Sequence, residues 1–389
     1  MTTDPSLPTP PASDQASGIL AELEERIATA MQQSGGWLGF DRFMELALYA
    51  PGLGYYANGS TKFGTLPGGT RQADGSLQGA GSDFVTAPEM TPLFGYTLAQ
   101  AVAQAMQATQ TFEIWEFGAG TGALANQLLT ALKAMGQRVD RYTIVDLSES
   151  LKERQRQNLQ AHLEVLHWAS ALPVTLEGVV VGNEVLDAMP VKLVARVKGQ
   201  WWERGVAREN DTWVWADQPT ELRPPLEIDG AHDYLTEVHP QAEAFVRTLG
   251  DHLSRGAVFL LDYGFPEAEY YHVQRHMGTV MCHRAHQADG NPLEAVGLKD
   301  ITAHVNFTGI AVAAQEVGLE VLGYTSQAHF LMNCGIVELM QNASLPERVA
   351  AQKLILEHEM GEFFKVMGLV KGPLFESIGF ARGDRTHRL

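Results

Sequence analysis

Between residues 109 and 264 the chain repeats one pattern, an apolar run followed by a helical stretch. The apolar runs are TFEIWEFG, RYTIVDLS, LEVLHW, GVVVGNEV and GAVFLLDYG. Runs this short and rich in Val and Ile fit strands buried on both faces, and buried strands of that kind belong to parallel sheets. Helical spacing follows from Gly122 to Met135, from Glu149 to Leu159 and over 240–253. Parallel neighbours need crossover connections, so the alternation predicts an α/β chain, a Rossmann-like sheet with helices on both faces. A helix near 304–317, a strand LEVLGYT, further helices and a last strand in FFKVMGLV would complete the sheet.

The flanking sequence divides around this core. Residues 1–17 are dense in Pro, Ser and Thr and read as a disordered tail. Residues 18–108 form an N-terminal helical region, with helices over Gly18 to Gln33, Phe40 to Tyr49, and from Pro92 to about Ala108. Within it, Gly52 to Asp83 is too long and glycine-rich for an ordinary connection, and reads as a functional loop or a disordered segment. Residues 109–389 carry the core, with a β-rich insertion at about 191–235 and a long loop with little periodicity at about 265–303. Trp201, Trp202, Trp213 and Trp215 fall in the first insertion. They are either a peptide-binding surface or packing across antiparallel strands.

Composition excludes several function classes. The formal charge is -18, from 46 acidic against 28 basic residues, which opposes binding along a nucleic-acid backbone and favours a cationic partner or solubility alone. Cys282 and Cys334 make no metal-ligand or disulfide pattern, which suits a reducing cytoplasm. No apolar run approaches the ~20 residues of a membrane span, so stable membrane insertion is not expected. The first residues lack the basic start and apolar stretch of a secretory signal.

Three motifs carry candidate chemistry. The first is Glu116-Phe-Gly118-Ala-Gly120-Thr-Gly122, which closes a strand and opens a helix. Its glycines allow a sharp turn and a close ligand, and its exposed N–H groups suit a carboxylate or another polar group. The spacing is G-x-G-x-G, not the G-x-G-x-x-G of dinucleotide enzymes. The next strand ends in Asp146, placed to accept hydrogen bonds from ribose hydroxyls. The second motif is Asn183-Glu184-Val-Leu-Asp187, at the end of the fourth strand. Glu184 and Asp187 either hold a guanidinium, whose fork matches carboxylates, or bond local backbone N–H groups. The third is Asp83-Phe-Val-Thr86-Ala-Pro88-Glu89. Thr86 and Glu89 have the spacing of a capping box, so helix capping and site formation stand as alternatives, while Asp83 lies outside the cap. His283, His286 and His304 lie near Asp300, but at no standard metal spacing, and no metal is expected.

With these residues in view, the chain resembles the MidA-type methyltransferases. The resemblance runs through LYAPGLGYY, GSDFVTAPEMTPLFG, WEFGAGTGALA, GNEVLDAMPV, LLDYGF, GLKDITAHVNF, TSQAHFL and GEFFKVMGL. It implies a class I methyltransferase fold and S-adenosylmethionine as cofactor. Carried onto this chain, Glu116, Gly118, Gly120 and Gly122 would line the methionine end and Asp146 would meet the ribose. Thr86, Pro88 and Asn183 would border the cofactor, and Asp83, Glu89, Glu184 and Asp187 would face the acceptor. The mitochondrial member of that family is an assembly factor for respiratory complex I that methylates an arginine. The expected acceptor is therefore a protein side chain, arginine favoured. Where the family often has Glu, this chain has Asp146, which asks for a closer ribose. Ala119 replaces a frequent Pro, and the loop before Asp83 is longer than expected. A cofactor-binding assembly factor without catalysis and an NAD-dependent oxidoreductase remain as rival readings.

Overall fold

The computed structural model describes residues 14–57, 70–71, 77–78, 86–146, 149–284 and 287–389. The five apolar runs form strands β1 (Glu113–Phe117), β2 (Arg141–Val145), β3 (Leu166–Ala169), β4 (Leu176–Asn183) and β5 (Leu253–Phe265). Two later strands join them, β6 (Glu320–Ser326) and β7 (Phe364–Lys371). Their order in the sheet is β3-β2-β1-β4-β5-β7-β6. Every neighbouring pair from β3 to β5 is parallel, and β7 runs antiparallel to both β5 and β6. The chain order reverses at the junction of β1 and β4, and the carboxyl ends of those strands open the crevice where such sheets take ligands.

Side-chain alternation explains why the strands read as continuous apolar runs. Ile114, Val179, Val181, Phe259 and Leu261 point to a core shared with helices Leu93–Thr109 and Ala123–Ala134. Trp115, Val180, Val258 and Leu260 point to the opposite core, closed by helices Pro240–His252 and Phe307–Glu316. With both faces buried, the strand interiors are largely apolar, and buried polar residues such as Thr143 and Asp262 are exceptions.

A second lobe joins segments distant in sequence. Strands Lys192–Val197, Gln200–Glu209, Thr212–Pro219 and Tyr234–Val238 form an antiparallel sheet, which Leu38–Gly39 extends. Helices Asp14–Gln33 and Phe40–Tyr49 bury Leu23, Ile27, Phe40 and Phe43 against Val206 and Trp213, and Cys282 and Ile301 complete that core. Trp213 meets Phe43 edge-on at 6.1 Å, and Trp215 lies 5.5 Å from Phe40. Trp213 is a buried packing residue, whereas Trp215 packs on Phe40 and keeps part of its ring exposed.

Two expectations are corrected. The first helix begins at Asp14, so the end of the expected tail is helical; residues 1–13 lie outside the described residues. The stretch 265–303 is not a bare loop. It holds a helical turn, Glu267–Tyr270, and a small antiparallel sheet of Met281–Arg284, Gln287–Asp289 and Asp300–Thr302. Strands of three or four residues are too short to establish a hydrophobic period. Among the described residues, no helix is long and apolar enough to cross a membrane.

Candidate active site

The glycine loop leaves β1 through three left-handed residues, Gly118 (φ +65°), Gly120 (φ +52°) and Gly122 (φ +86°). A Cβ on Gly118 would lie 3.0 Å from Val185 Cγ2, and one on Gly122 would lie 3.0 Å from Leu159 Cδ1. Conformation favours glycine at all three positions, and space is tight for a side chain at Gly118 and Gly122. Beneath the loop, the buried Glu116 carboxylate accepts a 2.7 Å hydrogen bond from the Tyr142 hydroxyl. Burial pushes Glu116 up to about 8; the Tyr142 bond pulls it down and the charge of Asp146 adds to the rise. Gln155 connects loop and acid. Its Nε2 donates to Gly120 O and to Asp146 Oδ2, both at 3.0 Å, while its Oε1 accepts from Trp168 Nε1 at 2.8 Å.

One strand over, β4 ends at Asn183, and the chain turns through Glu184 in the left-handed region (φ +53°). A non-glycine residue there costs energy and marks a constrained position. Asp262 supplies the constraint. Its Oδ2 accepts the backbone N–H groups of Val185, Leu186 and Asp187 at 3.1, 2.9 and 3.2 Å, and its Oδ1 accepts that of Tyr263 at 3.0 Å. The N–H groups of Val185 and Leu186 are thus satisfied by Asp262, while Asp187 also bonds the neighbouring Ala188 N–H, as the local-bonding alternative has it. Glu184 accepts from Asn183 Nδ2 at 3.0 Å. Burial and the Asp187 charge push Glu184 up to about 8, against the Asn183 bond and the Ala87 N–H. Burial also lifts Asp187 to about 6, against the neighbouring Tyr263 hydroxyl.

The third motif closes the crevice. Thr86 is the N-cap of a short helix, Ala87–Met90, but makes no side-chain cap bond, so the capping box does not form. Glu89 instead accepts from the Thr121 hydroxyl on the glycine loop. Gln127 holds the segment from the other side, donating to Pro88 O at 2.7 Å. Asp83 and His286 lie outside the described residues.

These groups share one cavity of about 1590 Å³. Thr86, Pro88, Glu89, Glu116, Gly118, Gly120, Asp146, Asn183, Glu184 and Asp187 line it, and Gly122 sits behind the wall as the helix cap. The far wall holds residues whose place the sequence did not reveal, among them Tyr49, Tyr56, Tyr263, Arg275 and Asp300. Tyr56 donates to Asp300 Oδ1 at 2.7 Å and stacks on Tyr49 at 5.5 Å. His283 and His304 also reach the cavity. Burial and the cations Arg275 and Lys365 push His304 down to about 4, so its ring is neutral. The signal for this wall was LYAPGLGYY and GLKDITAHVNF, but nothing local joins segments some 250 residues apart.

The model of a family of S-adenosyl-L-methionine-dependent methyltransferases matches residues 97–325, more than half of the chain. The chain belongs to that family. A solved protein of Burkholderia thailandensis bound to S-adenosyl-homocysteine is 48% identical to this methyltransferase, with TM-score 0.90, covering 99% of this chain and 100% of that one. A native structure of a protein of the same superfamily and organism is 46% identical, with TM-score 0.87 over 99% and 100%. The human protein arginine methyltransferase NDUFAF7, mitochondrial, is 25% identical over 97% of this chain and 89% of its own. Its Danio rerio counterpart is 24% identical over 92% and 89%. The cofactor of this methyltransferase is S-adenosylmethionine, and the nicotinamide alternative falls. The residues present fit that cofactor. A side-chain-free cradle beside Asp146 suits a nucleoside with a polar tail, and the Glu116 carboxylate suits a cationic group.

Proposed function

We propose that this methyltransferase modifies a nitrogen of a protein side chain, arginine foremost. The observation that carries the reading is the acidic corner where β4 meets β5. Glu184, Asp187 and Asp262 crowd together there on or behind the cavity wall, and among the described residues no Lys or Arg forms a salt bridge with any of the three. Burial raises all three carboxyl groups, the neighbouring carboxylates raise Glu184 and Asp262 further, and an incoming guanidinium relieves both effects. The name of the human relative supports arginine as the acceptor.

In this reading Glu116, Gly118, Gly120 and Gly122 form the methionine end of the cofactor site, Asp146 takes the ribose, and Thr86 and Pro88 close its side. When bound, S-adenosylmethionine supplies a methyl group on a sulfonium with a good leaving group. The protein's own task is alignment and charge. Glu184 and Asp187 hold the guanidinium fork in the wall, and Tyr49 and Tyr56 flank its entry. Burial holds a proton on Glu184 in the ligand-free site; the charge of an arriving guanidinium drives that proton to solvent, and the ionised Glu184 then receives the proton that the attacking nitrogen sheds. Glu89, tied to Thr121, adds negative charge beside the glycine loop. We place the enzyme in a reducing compartment, since Cys282 and Cys334 are buried free thiols.

The test uses a pool of arginine-containing peptides, labelled cofactor and acid hydrolysis of the products. Methylarginine is the expected product. Glu184→Gln should lower the single-turnover rate by about a hundredfold or more with S-adenosylhomocysteine affinity unchanged. Label on hydroxyl or carboxyl groups, or full rate in the variant, would refute the reading.

A further inference from the structure

Asn183 and Asp187 each keep a buried oxygen without a partner. Asn183 is 8% exposed and Asp187 5% exposed, yet Asn183 Oδ1 and Asp187 Oδ1 accept no hydrogen bond although both residues line the cavity. A buried acceptor left unsatisfied costs about 1–3 kcal/mol, so such groups call for a ligand or another explanation. The Asn183 amide is oriented by the Glu184 carboxylate once that group is ionised. Its Nδ2 donates to Glu184 Oε1 at 3.0 Å, which leaves the carbonyl oxygen as the group offered elsewhere. Register fixes where that offer is made. Phe117 pairs with Gly182, so Asn183 stands level with Gly118 at the start of the glycine loop. The Asp262 clamp on the next three backbone N–H groups holds this turn in place.

We propose that Asn183 is a catalytic residue whose Oδ1 receives an N–H of the attacking nitrogen, while Asp187 Oδ1 receives a second N–H of the same group. The pair accepts and does not donate. A carboxylate acceptor would meet only repulsion there, and a hydroxyl or thiol has one hydrogen for two oxygens. A guanidinium carries enough N–H groups to supply both oxygens at once. The inference rests on the nitrogen-acceptor reading above and adds the group that aims the nucleophile, a role distinct from bordering the cofactor. In the transfer, the nitrogen lone pair forms the new N–C bond and the methyl–sulfur bond breaks with its electron pair left on sulfur. The displaced proton passes to Glu184, which has lost its own proton to solvent on arrival of the cationic guanidinium, and Asn183 neither gains nor loses one.

Ethylguanidine is the probe, titrated calorimetrically into the full chain loaded with S-adenosylhomocysteine, with propionate as the N–H-free control. The wild type should bind ethylguanidine and not propionate. N183L should weaken ethylguanidine at least tenfold and leave S-adenosylhomocysteine affinity within twofold. N183D, which keeps an acceptor oxygen, should bind the probe at least as tightly as wild type. In peptide assays the N183L loss should fall on kcat more than on KM. The proposal is overturned if wild type fails to bind ethylguanidine or prefers propionate. It is also overturned if N183L binds ethylguanidine normally, or loses S-adenosylhomocysteine instead. If N183L does not fold, N183D decides alone, and a tenfold loss of probe there overturns the proposal. A wild type that binds ethylguanidine but methylates no arginine peptide would sink the arginine reading and leave this subsite standing.

Discussion

Glu116, Glu184 and Asp187 hold protons that an unfolded chain would have released, and this sets how the ligand-free protein responds to pH. Their folded values lie at about 8, 8 and 6, above the ordinary carboxyl range, because burial disfavours the charged forms. A carboxyl group with a raised folded pKa contributes stability that is present below its unfolded value and lost as pH rises through the folded one. His239 and His304 act oppositely. Burial holds both at about 4, so they weaken the fold only as pH drops below the ordinary imidazole value. Between pH 6.5 and 8.5 the two glutamates therefore contribute a falling slope, and the buried Asp262 and Glu237, also raised, act in the same direction. There the melting temperature of the ligand-free protein should fall with rising pH, and Glu116→Gln and Glu184→Gln together should reduce the slope. An unchanged slope in the double variant would show that the two glutamates do not carry it.

The glycine loop and the β4–β5 corner are coupled through one contact between elements. Gly118 closes on Val185, so the cofactor cradle and the acidic turn pack against each other. Gly118→Ala forces a side chain into a left-handed backbone and against Val185 Cγ2, two costs that relaxation of one element cannot remove. We expect this variant to fold and to lose S-adenosylhomocysteine affinity by tenfold or more in calorimetry. Unchanged affinity would mean that the loop has no part in the cofactor site. The same coupling explains a pattern that local sequence mislabels. Thr86 and Glu89 have capping-box spacing, but Thr121 on the glycine loop captures Glu89 and draws it into the cavity wall.

Over the whole molecule, the active cavity lies where the sheet's carboxyl edge faces the second lobe. Cofactor residues come from the sheet, and Tyr49, Tyr56 and Asp300 come from the lobe built on the N-terminal helices and both insertions. Filling the cavity should stabilise the folded chain by linkage, about 2.7 kcal/mol at a hundredfold excess of ligand over Kd. S-adenosylhomocysteine should therefore raise Tm by a few degrees while NAD leaves it unchanged, and a scanning melt with both ligands checks this. The acidic surface, -18 overall, favours a basic acceptor segment at long range.

The sequence by itself determined the sheet, the glycine turn after β1, Asp146 at the end of β2, and the carboxylates at the end of β4. These follow from local rules, since buried strands read as apolar runs, left-handed turns need glycine, and polar residues collect at strand ends. Only the tertiary structure decided that Asp262 clamps the acidic turn, that Gln155 joins the glycine loop to Asp146, and that Tyr56 meets Asp300 from the far side. Those contacts join residues 75 to 77 positions apart at the clamp and 244 apart across the cavity. Such separations leave no periodicity or spacing for a linear reading to detect, because burial and charge there depend on which surfaces the finished fold brings together.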